Sequence, residues 1–398
     1  MNRHHTLITF LGRSKSDPKA GYRKANYLFP MAKKPVSSTF FGLAISEKIN
    51  PKPDSIVILG SSGSSWSMLV ENLEKNGQDE ARFDLLQAEE SGSVNQALLD
   101  LVTPLMEQGF GTNVKSKIIP VGKTDEEHLE ILRIISSCVE SGDVSIDITH
   151  GFRYFGMIGF LSAWMLEHVH NDLHVKELWY GALDLTEKCI TPVLRLNGLS
   201  RVRSWIDAIN RFDATGEYAD FASLLVGDGV PERSVRCLKR AAFFEQTLNL
   251  RGAARELQRF LPVLKKPLPG ASELFRDRLA QRLSWCENAK LGVRQKQLAR
   301  MYIDRHDYLR ASVFGLEAVI SLELENRGNL KSDEFQVRKR IKQELLECDE
   351  ASREMRLLRC IRNALAHGDP GAAGPFYDIL TDPNRLGREL KQALGKLL

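Results

Sequence analysis

The sequence of 398 residues lacks the patterns of several large protein classes. No stretch reaches about 18 uninterrupted apolar residues, and the first ten residues, MNRHHTLITF, lack the apolar core and cleavage site of a signal peptide. The six cysteines are scattered without a C-x-x-C pair, which argues against a zinc ribbon, a redox motif or a disulfide framework. We therefore expect a cytoplasmic protein with no membrane partner, no bound metal and no cofactor, whose cysteines are structural thiols.

Two familiar nucleotide-binding motifs are also missing. The apolar segment 55–59 is followed by Gly60-Ser61-Ser62-Gly63, which does not have the G-x-G-x-x-G spacing of a dinucleotide site. Gly122-Lys123-Thr124 would end a Walker A motif, but Lys117 stands where the leading glycine of that motif must be. A nucleotide-dependent α/β enzyme such as a dehydrogenase or a kinase is therefore disfavoured.

Positive charge is unevenly distributed along the chain. The net charge is only +4, yet residues 231–310 contain 18 lysines and arginines against 8 acidic residues. A basic segment of this size favours a polyanionic partner such as nucleic acid. A helical layer with solvated basic faces explains the same composition equally well.

The hydrophobic periodicity changes near residue 200. Before it, apolar strands alternate with helices, which predicts a doubly wound α/β domain with a parallel sheet. The predicted strands are 6–11, 55–59, 116–121, 144–149 and 177–183. Beyond residue 200 the pattern predicts an all-α region with helices at 200–214, 217–225, 233–262, 271–303, 306–326, 332–346, 351–367 and 384–397.

Three polar turns follow predicted strands, at residues 12–14, 60–66 and 147–153. The carboxyl ends of parallel strands meet at one edge of a sheet, so the turns suggest one shared ligand pocket. Two alternatives stay open. The small hydroxyl residues of 60–66 could simply cap a helix, and His150 could simply hydrogen-bond its own turn.

A second group of polar residues lies near the C-terminus, where Arg362, Asn363 and His367 occur in a predicted helix that Gly368 and Pro370 end. On a straight helix Arg362 and His367 point about 140° apart, so they converge only if the helix bends or a partner completes the site. Arginine can neutralise a scissile phosphate and histidine can move protons, as metal-free RNA cleavage through the ribose 2′-OH requires. The alternative is that both residues merely cap a helix end.

These two groups carry a resemblance to a known family. Asp147-Ile148-Thr149-His150-Gly151 with Arg153 resembles the D-x-T-H-G signature of CRISPR-associated CARF proteins, and Arg362 to His367 resembles the R-x4-6-H motif of HEPN ribonucleases. Their order resembles that of the CARF–HEPN ribonucleases of type III CRISPR systems. The resemblance implies a Rossmann-like CARF domain at 1–195, a basic helical linker or insertion at 196–300 and a helical HEPN domain at 301–398.

The resemblance also implies a function. CARF domains of this family pair across a two-fold axis and bind a cyclic oligoadenylate, here a tetra- or hexa-adenylate, as an allosteric activator. The HEPN domains then act as a metal-independent endoribonuclease on single-stranded RNA in antiviral defence. One arginine and one histidine per chain make half a composite site, so a homodimer or a higher homo-oligomer is expected. The alternative is a non-catalytic cyclic-nucleotide sensor whose helical domain binds and regulates nucleic acid or protein.

Site residues follow from the resemblance by motif position. The expected catalytic residues are Arg362 and His367, with Asn363 in support. The expected ligand-binding residues lie in the three strand-end turns: Gly12, Arg13, Ser14, Gly60, Ser61, Ser62, Gly63, Ser64, Trp66, Thr149, His150, Gly151 and Arg153.

Overall fold

The chain splits into two compact units after Ser200. The structure, a computed structural model, describes residues 3–13, 16–17, 21–22, 24–71, 79–328, 335–347 and 352–397. The first unit is α/β and the second consists of helices, as the change of periodicity near residue 200 predicts. No helix in these ranges combines the length and the apolar composition needed to cross a membrane.

The α/β unit contains a mostly parallel sheet of eight strands in the order β5-β4-β10-β9-β8-β1-β6-β7. The parallel part runs from β9 to β7, whereas β10 is antiparallel to β9 and β5 is antiparallel to β4. The strands are β1 (His5–Leu11), β2 (Ser16–Asp17), β3 (Gly21–Tyr22), β4 (Ala25–Leu28), β5 (Val36–Ser38), β6 (Ser55–Gly60), β7 (Asn113–Ile118), β8 (Gly142–Asp147), β9 (Leu173–Gly181) and β10 (Thr191–Arg195), of which β2 and β3 form a separate hairpin.

Helices cover both faces of this sheet, so the unit is doubly wound as predicted. Along β1, Leu7 and Leu11 face one core while Ile8 and Phe10 face the other, so the strand is buried on both faces. The helices of this unit are α1 (Phe41–Lys48), α2 (Asp79–Glu90), α3 (Gln96–Phe110), α4 (Asp125–Cys138) and α5 (Phe155–Val169). The first three pack on one face, and α4 and α5 pack on the other.

Two predicted strands end earlier than their apolar runs. β7 stops at Ile118, because Pro120 has no N–H to donate to a neighbouring strand. β8 stops at Asp147, because its carboxylate Oδ1 accepts the N–H of Thr149 at 2.8 Å and turns the chain. The sequence pattern gives no sign of β4 and β10, which are short and lie on the other side of β9. The segment 38–44 predicts a strand that runs into a short helix, and the structure has β5 and α1 there, with the strand ending at Ser38.

The helical unit is organised around one hydrophobic core that runs from Trp205 to Leu394. Its helices are α6 (Asn197–Thr215), α7 (Asp220–Asp228), α8 (Glu232–Gln246), α9 (Leu250–Leu264), α10 (Ser272–Leu283), α11 (Leu291–Asp304), α12 (Tyr308–Asn326), α13 (Phe335–Glu347), α14 (Ser352–His367), α15 (Tyr377–Leu380) and α16 (Pro383–Leu397). This core continues across residue 300, so the packing shows no boundary there. The expected division between a helical linker at 196–300 and a HEPN domain at 301–398 stays a prediction.

Two long predicted helices are each two helices in the structure. The segment 233–262 breaks at Leu248, whose φ of +62° ends α8, and the side chain of Asn249 then caps α9 by accepting the N–H of Gly252. The segment 271–303 breaks after Leu283, where a short turn buries Trp285 and Cys286. Apolar periodicity continues across both breaks because both flanking helices face the same core.

Candidate ligand cavity and candidate catalytic helix

A cavity of about 610 Å³ lies in the α/β unit at the carboxyl end of β1 and the turn after β8. Among the residues expected to bind a ligand, Gly12, Arg13, Thr149, His150 and Gly151 line it. The structure therefore brings together the first and third of the three polar turns. Ser14 lies outside the described residues.

The two turns touch through their backbones. A Cβ atom on Gly12 would lie 2.7 Å from the backbone nitrogen of Gly151, closer than real Cβ contacts allow. Gly151 itself has a φ of +98°, a conformation that favours glycine. Both glycines are thus required by the geometry that forms the cavity floor.

Asp147 is fully buried and organises the turn after β8. Its Oδ2 accepts the hydroxyl proton of Thr9 at 2.6 Å, and its Oδ1 accepts the N–H of Thr149. Burial raises the pKa of Asp147 to about 6, against the lowering effect of these hydrogen bonds. Thr149 in turn accepts the N–H of Gly181 at 2.7 Å, which ties the turn to the end of β9.

His150 is held in place by α1. Its Nε2 accepts the backbone N–H of Phe41 at 3.1 Å, and its ring stacks on Phe40 at a centroid distance of 5.6 Å. Burial lowers the pKa of His150 to about 4, so the imidazole is neutral at pH 7. It therefore contributes a hydrogen-bonding ring rather than a positive charge to the cavity wall.

The turn after β6 is internal instead of lining the cavity. Ser64 accepts the N–H of Ser61 at 2.9 Å and donates to the carbonyl of Leu11, while Nε1 of Trp66 donates to the carbonyl of Ser61. Trp66 is fully buried, and its ring lies where a Cβ on Gly60 would be. The serines and the tryptophan thus support the end of β1. Their contacts are those of the alternative interpretation, in which these residues have a structural role.

The remaining predicted contacts are partly or fully exposed and do not line the cavity. Ser62 and Gly63 are half-buried, and Arg153 is exposed at the turn before α5. Their role as ligand contacts stays a prediction.

The other cavity wall was missed by the sequence analysis. It comes from β4, β10 and the turns around them, and it includes Lys24, Asn26, Tyr27, Cys189 and Thr191. Asn26 donates through Nδ2 to the carbonyl of Cys189 at 3.0 Å, which joins two parts of this wall. The signal for this wall in the sequence is the basic, tyrosine-bearing segment before residue 28, which is equally compatible with an exposed loop or hairpin.

Arg362, Asn363 and His367 all lie on α14, which continues as helix to His367. Arg362 and Asn363 are half-buried and His367 is exposed. Gly368 follows with a φ of +63° and ends the helix, as predicted. Because the helix does not end between Arg362 and His367, their side chains leave it about 140° apart.

The α/β unit has a recognisable counterpart among protein families. Residues 6–180 match the family model described as the CARF domain of the CRISPR system endoribonuclease Csx1. This unit is CARF-like. The match ends before the helical unit, and within the α/β unit it contains β1, the turn after β8 and most of the cavity floor.

A solved structure described as Enterococcus italicus Csm6 bound to cyclic hexa-2′-fluoro-hexa-dAMP aligns with 100% of this chain and 93% of that chain, at 10% identity and a TM-score of 0.32. No curated protein matches this chain.

Proposed function

We propose that this protein is a cyclic-oligoadenylate-activated, metal-independent endoribonuclease that cleaves single-stranded RNA in type III CRISPR antiviral defence. One observation carries the proposal: the segment that matches a CARF domain of an endoribonuclease forms a ligand-sized cavity whose floor is the Thr149-His150-Gly151 turn.

The cavity has the chemistry that a cyclic oligoadenylate requires. Arg13 and Lys24 supply positive charge toward phosphates, and both are exposed at its edge. Neutral polar groups, among them Thr149 and Asn26, suit ribose hydroxyls and base edges. The activator is a tetra- or hexa-adenylate, and its two-fold symmetry matches a pair of such cavities.

The proposed catalytic groups are Arg362 and His367, with Asn363 in support. In this reaction the ribose 2′-oxygen attacks the adjacent phosphorus and the bond from phosphorus to the 5′-oxygen breaks, which leaves a 2′,3′-cyclic phosphate and a 5′-hydroxyl. His367 transfers the proton, and Arg362 stabilises the charge on the phosphate oxygens. No step requires a metal.

The geometry of α14 supports a homodimer. The two side chains diverge on one helix, so a complete site is best supplied by the α14 helices of two copies. An apolar stripe on α5 supports pairing of the CARF-like units as well: Met157 and Leu161 are exposed one turn apart, and Trp164 continues the same face.

A second candidate function is a non-catalytic cyclic-nucleotide sensor whose helical unit binds nucleic acid or protein. The divergence of Arg362 and His367 on α14 favours it, because a single chain then holds no complete cleavage site. In this case the cavity keeps its role and both residues are dispensable.

One experiment separates these functions. Purified full-length protein is incubated with labelled single-stranded RNA in EDTA, alone and with cyclic tetra-adenylate or cyclic hexa-adenylate. The proposal expects cleavage that depends on one of the rings and gives 2′,3′-cyclic phosphate ends. Cleavage that required a divalent metal and ignored both rings would contradict it, and ring binding without cleavage would support the sensor.

A further inference from the structure

A second cavity, of about 560 Å³, lies within the helical unit between α6, α10 and α11. Four of its lining residues are arginines: Arg278 and Arg282 on α10, Arg300 on α11 and Arg305 just after α11. We name it the arginine cleft. All four arginines belong to the basic segment 231–310. The structure adds that two helices bring them together on one concave surface, which the excess of basic residues in the sequence does not show.

The positive charge of the cleft is only partly neutralised. Asp213 binds Arg282 with both carboxylate oxygens, and the hydrogen bonds from Arg282 lower the pKa of Asp213. Asp304, the other acidic residue of the lining, pairs with Lys391 at 3.3 Å. The lining arginines therefore exceed the lining carboxylates by two.

Two of these arginines have a buried donor without a partner among the described residues, Nη1 of Arg282 and Nη1 of Arg305. The side chain of Arg282 is only 8% exposed, and its Nη1 has no hydrogen-bond partner among the residues that the structure describes. A buried cationic donor without an acceptor is costly. Asp213 holds the rest of the guanidinium, so Arg282 forms a fixed wall of the cleft.

We propose that the arginine cleft binds a phosphate group of a single-stranded RNA. The exposed Arg278 and Arg300 would contact phosphate oxygens of the RNA backbone, and the Arg282–Asp213 pair would form the wall behind them. The choice of RNA over a free nucleotide rests on the proposed function. Trp285 and Phe212 line the cleft but are buried, so no base can stack on them, and recognition is by phosphate and independent of sequence.

The test measures RNA binding without cleavage. Full-length protein with His367→Ala is titrated with fluorescein-labelled RNA at several salt concentrations, with and without Arg278→Gln/Arg300→Gln. Both arginines are exposed, so the fold should survive. The expected result is a Kd raised about tenfold and a slope of log K against log salt reduced by about 1.4, from two lost phosphate contacts.

A matched control removes the same charge elsewhere in the helical unit. Arg233→Gln/Arg236→Gln alters two exposed arginines of α8 that do not line the cleft, and it should change the Kd less than about twofold. Equal weakening by the control, or unchanged RNA binding by Arg278→Gln/Arg300→Gln, would overturn the proposal.

Competition identifies the source of the phosphate. If Arg278→Gln/Arg300→Gln weakens the binding of 5′-AMP but leaves the RNA affinity unchanged, the assignment of RNA as the ligand of the cleft is wrong. If only the proposed ribonuclease activity is wrong, the result is different: RNA binds through the cleft, but the parent protein does not cleave it. Cleavage with cleft-independent binding would overturn this inference alone.

Discussion

Two glycines allow the floor of the ligand cavity to form. Gly12 and Gly151 belong to different turns, and their backbones approach so closely that a methyl group on Gly12 meets the nitrogen of Gly151 at 2.7 Å. Neither backbone can move aside without shifting β1 or the start of α5. Backbone contact between the turns therefore determines the shape of the cavity as much as its side chains do.

We expect Gly12→Ala to destabilise the CARF-like unit by about 1–3 kcal/mol, as overpacking against backbone does, and to weaken ligand binding. The measurement is chemical unfolding of the purified protein, with binding of the cyclic oligoadenylate by calorimetry. Gly63→Ala is the matched control, because a Cβ there meets nothing within 4 Å. Equal stability of the two variants would show that the turns can separate.

His150 and Asp147 give the CARF-like unit opposite responses to acid. The pKa of His150 is lowered to about 4, so below pH 6.5 the unfolded chain binds a proton that the folded chain refuses, and stability falls as the pH falls. The pKa of Asp147 is raised to about 6, so between pH 6 and 4 the folded chain holds a proton that the unfolded chain releases. The contribution of Asp147 to stability therefore rises as the pH falls.

We expect His150→Gln to remove the loss of stability that His150 causes at low pH. Between pH 7 and pH 5 the parent protein should lose about 1–2 kcal/mol of stability relative to the variant, with the measurement being unfolding by denaturant at each pH. His168→Gln, at an exposed position of α5, should show no such difference. Parallel pH profiles of the parent and His150→Gln would contradict a neutral, buried His150.

At the scale of elements, α5 has two faces with different tasks. Phe155, Ile158 and Leu166 pack on the sheet, while Met157 and Leu161 are exposed on the opposite side. A helix that is apolar all round and covers a sheet on one face leaves the other face for a partner. We assign that partner to a second copy of the chain.

Met157→Glu/Leu161→Glu should convert the proposed dimer into monomers, because four glutamates would meet across its two-fold axis. Sedimentation velocity over a range of concentrations measures this change. Phe83→Glu/Leu101→Glu places the same charges on α2 and α3, at exposed apolar positions on the other face of the sheet, and should leave the dimer intact. A dimer that persists in the α5 variant would place the interface elsewhere.

At the scale of the whole molecule, the proposal separates sensing from cleavage between two units of the chain. The cavity lies in the α/β unit and Arg362 and His367 lie in the helical unit. Such a division requires the ligand to bind the active arrangement more tightly than the idle one.

Arg362→Ala and His367→Ala should each reduce RNA cleavage by at least about 100-fold, the usual scale for loss of a proton-transfer or charge-stabilising group. Binding of the cyclic oligoadenylate should stay within about twofold of the parent, which calorimetry measures. Arg359→Ala, on the same helix but outside the motif, is the control. Full cleavage by either motif variant would contradict a catalytic role for the residue that was replaced.

The fold class and the two strand-end turns of the cavity floor follow from the sequence alone, because these depend on local order. The buried strands are rich in apolar residues, the change to helical periodicity near residue 200 is continuous over many residues, and Gly12 and His150-Gly151 closely follow strands. The end of α14 was also predictable from the local sequence, since Gly368 adopts the positive φ that ends a helix.

Only the tertiary structure decided which polar residues face the cavity. Ser61, Ser64 and Trp66 follow a strand as the other turns do, yet their hydrogen bonds are satisfied inside the protein. The opposite wall comes from short strands whose place in the sheet depends on long-range pairing. In the same way, Arg278 and Arg300 share a cleft because α10 and α11 pack side by side, and sequence periodicity specifies the faces of each helix but not the partner of each face.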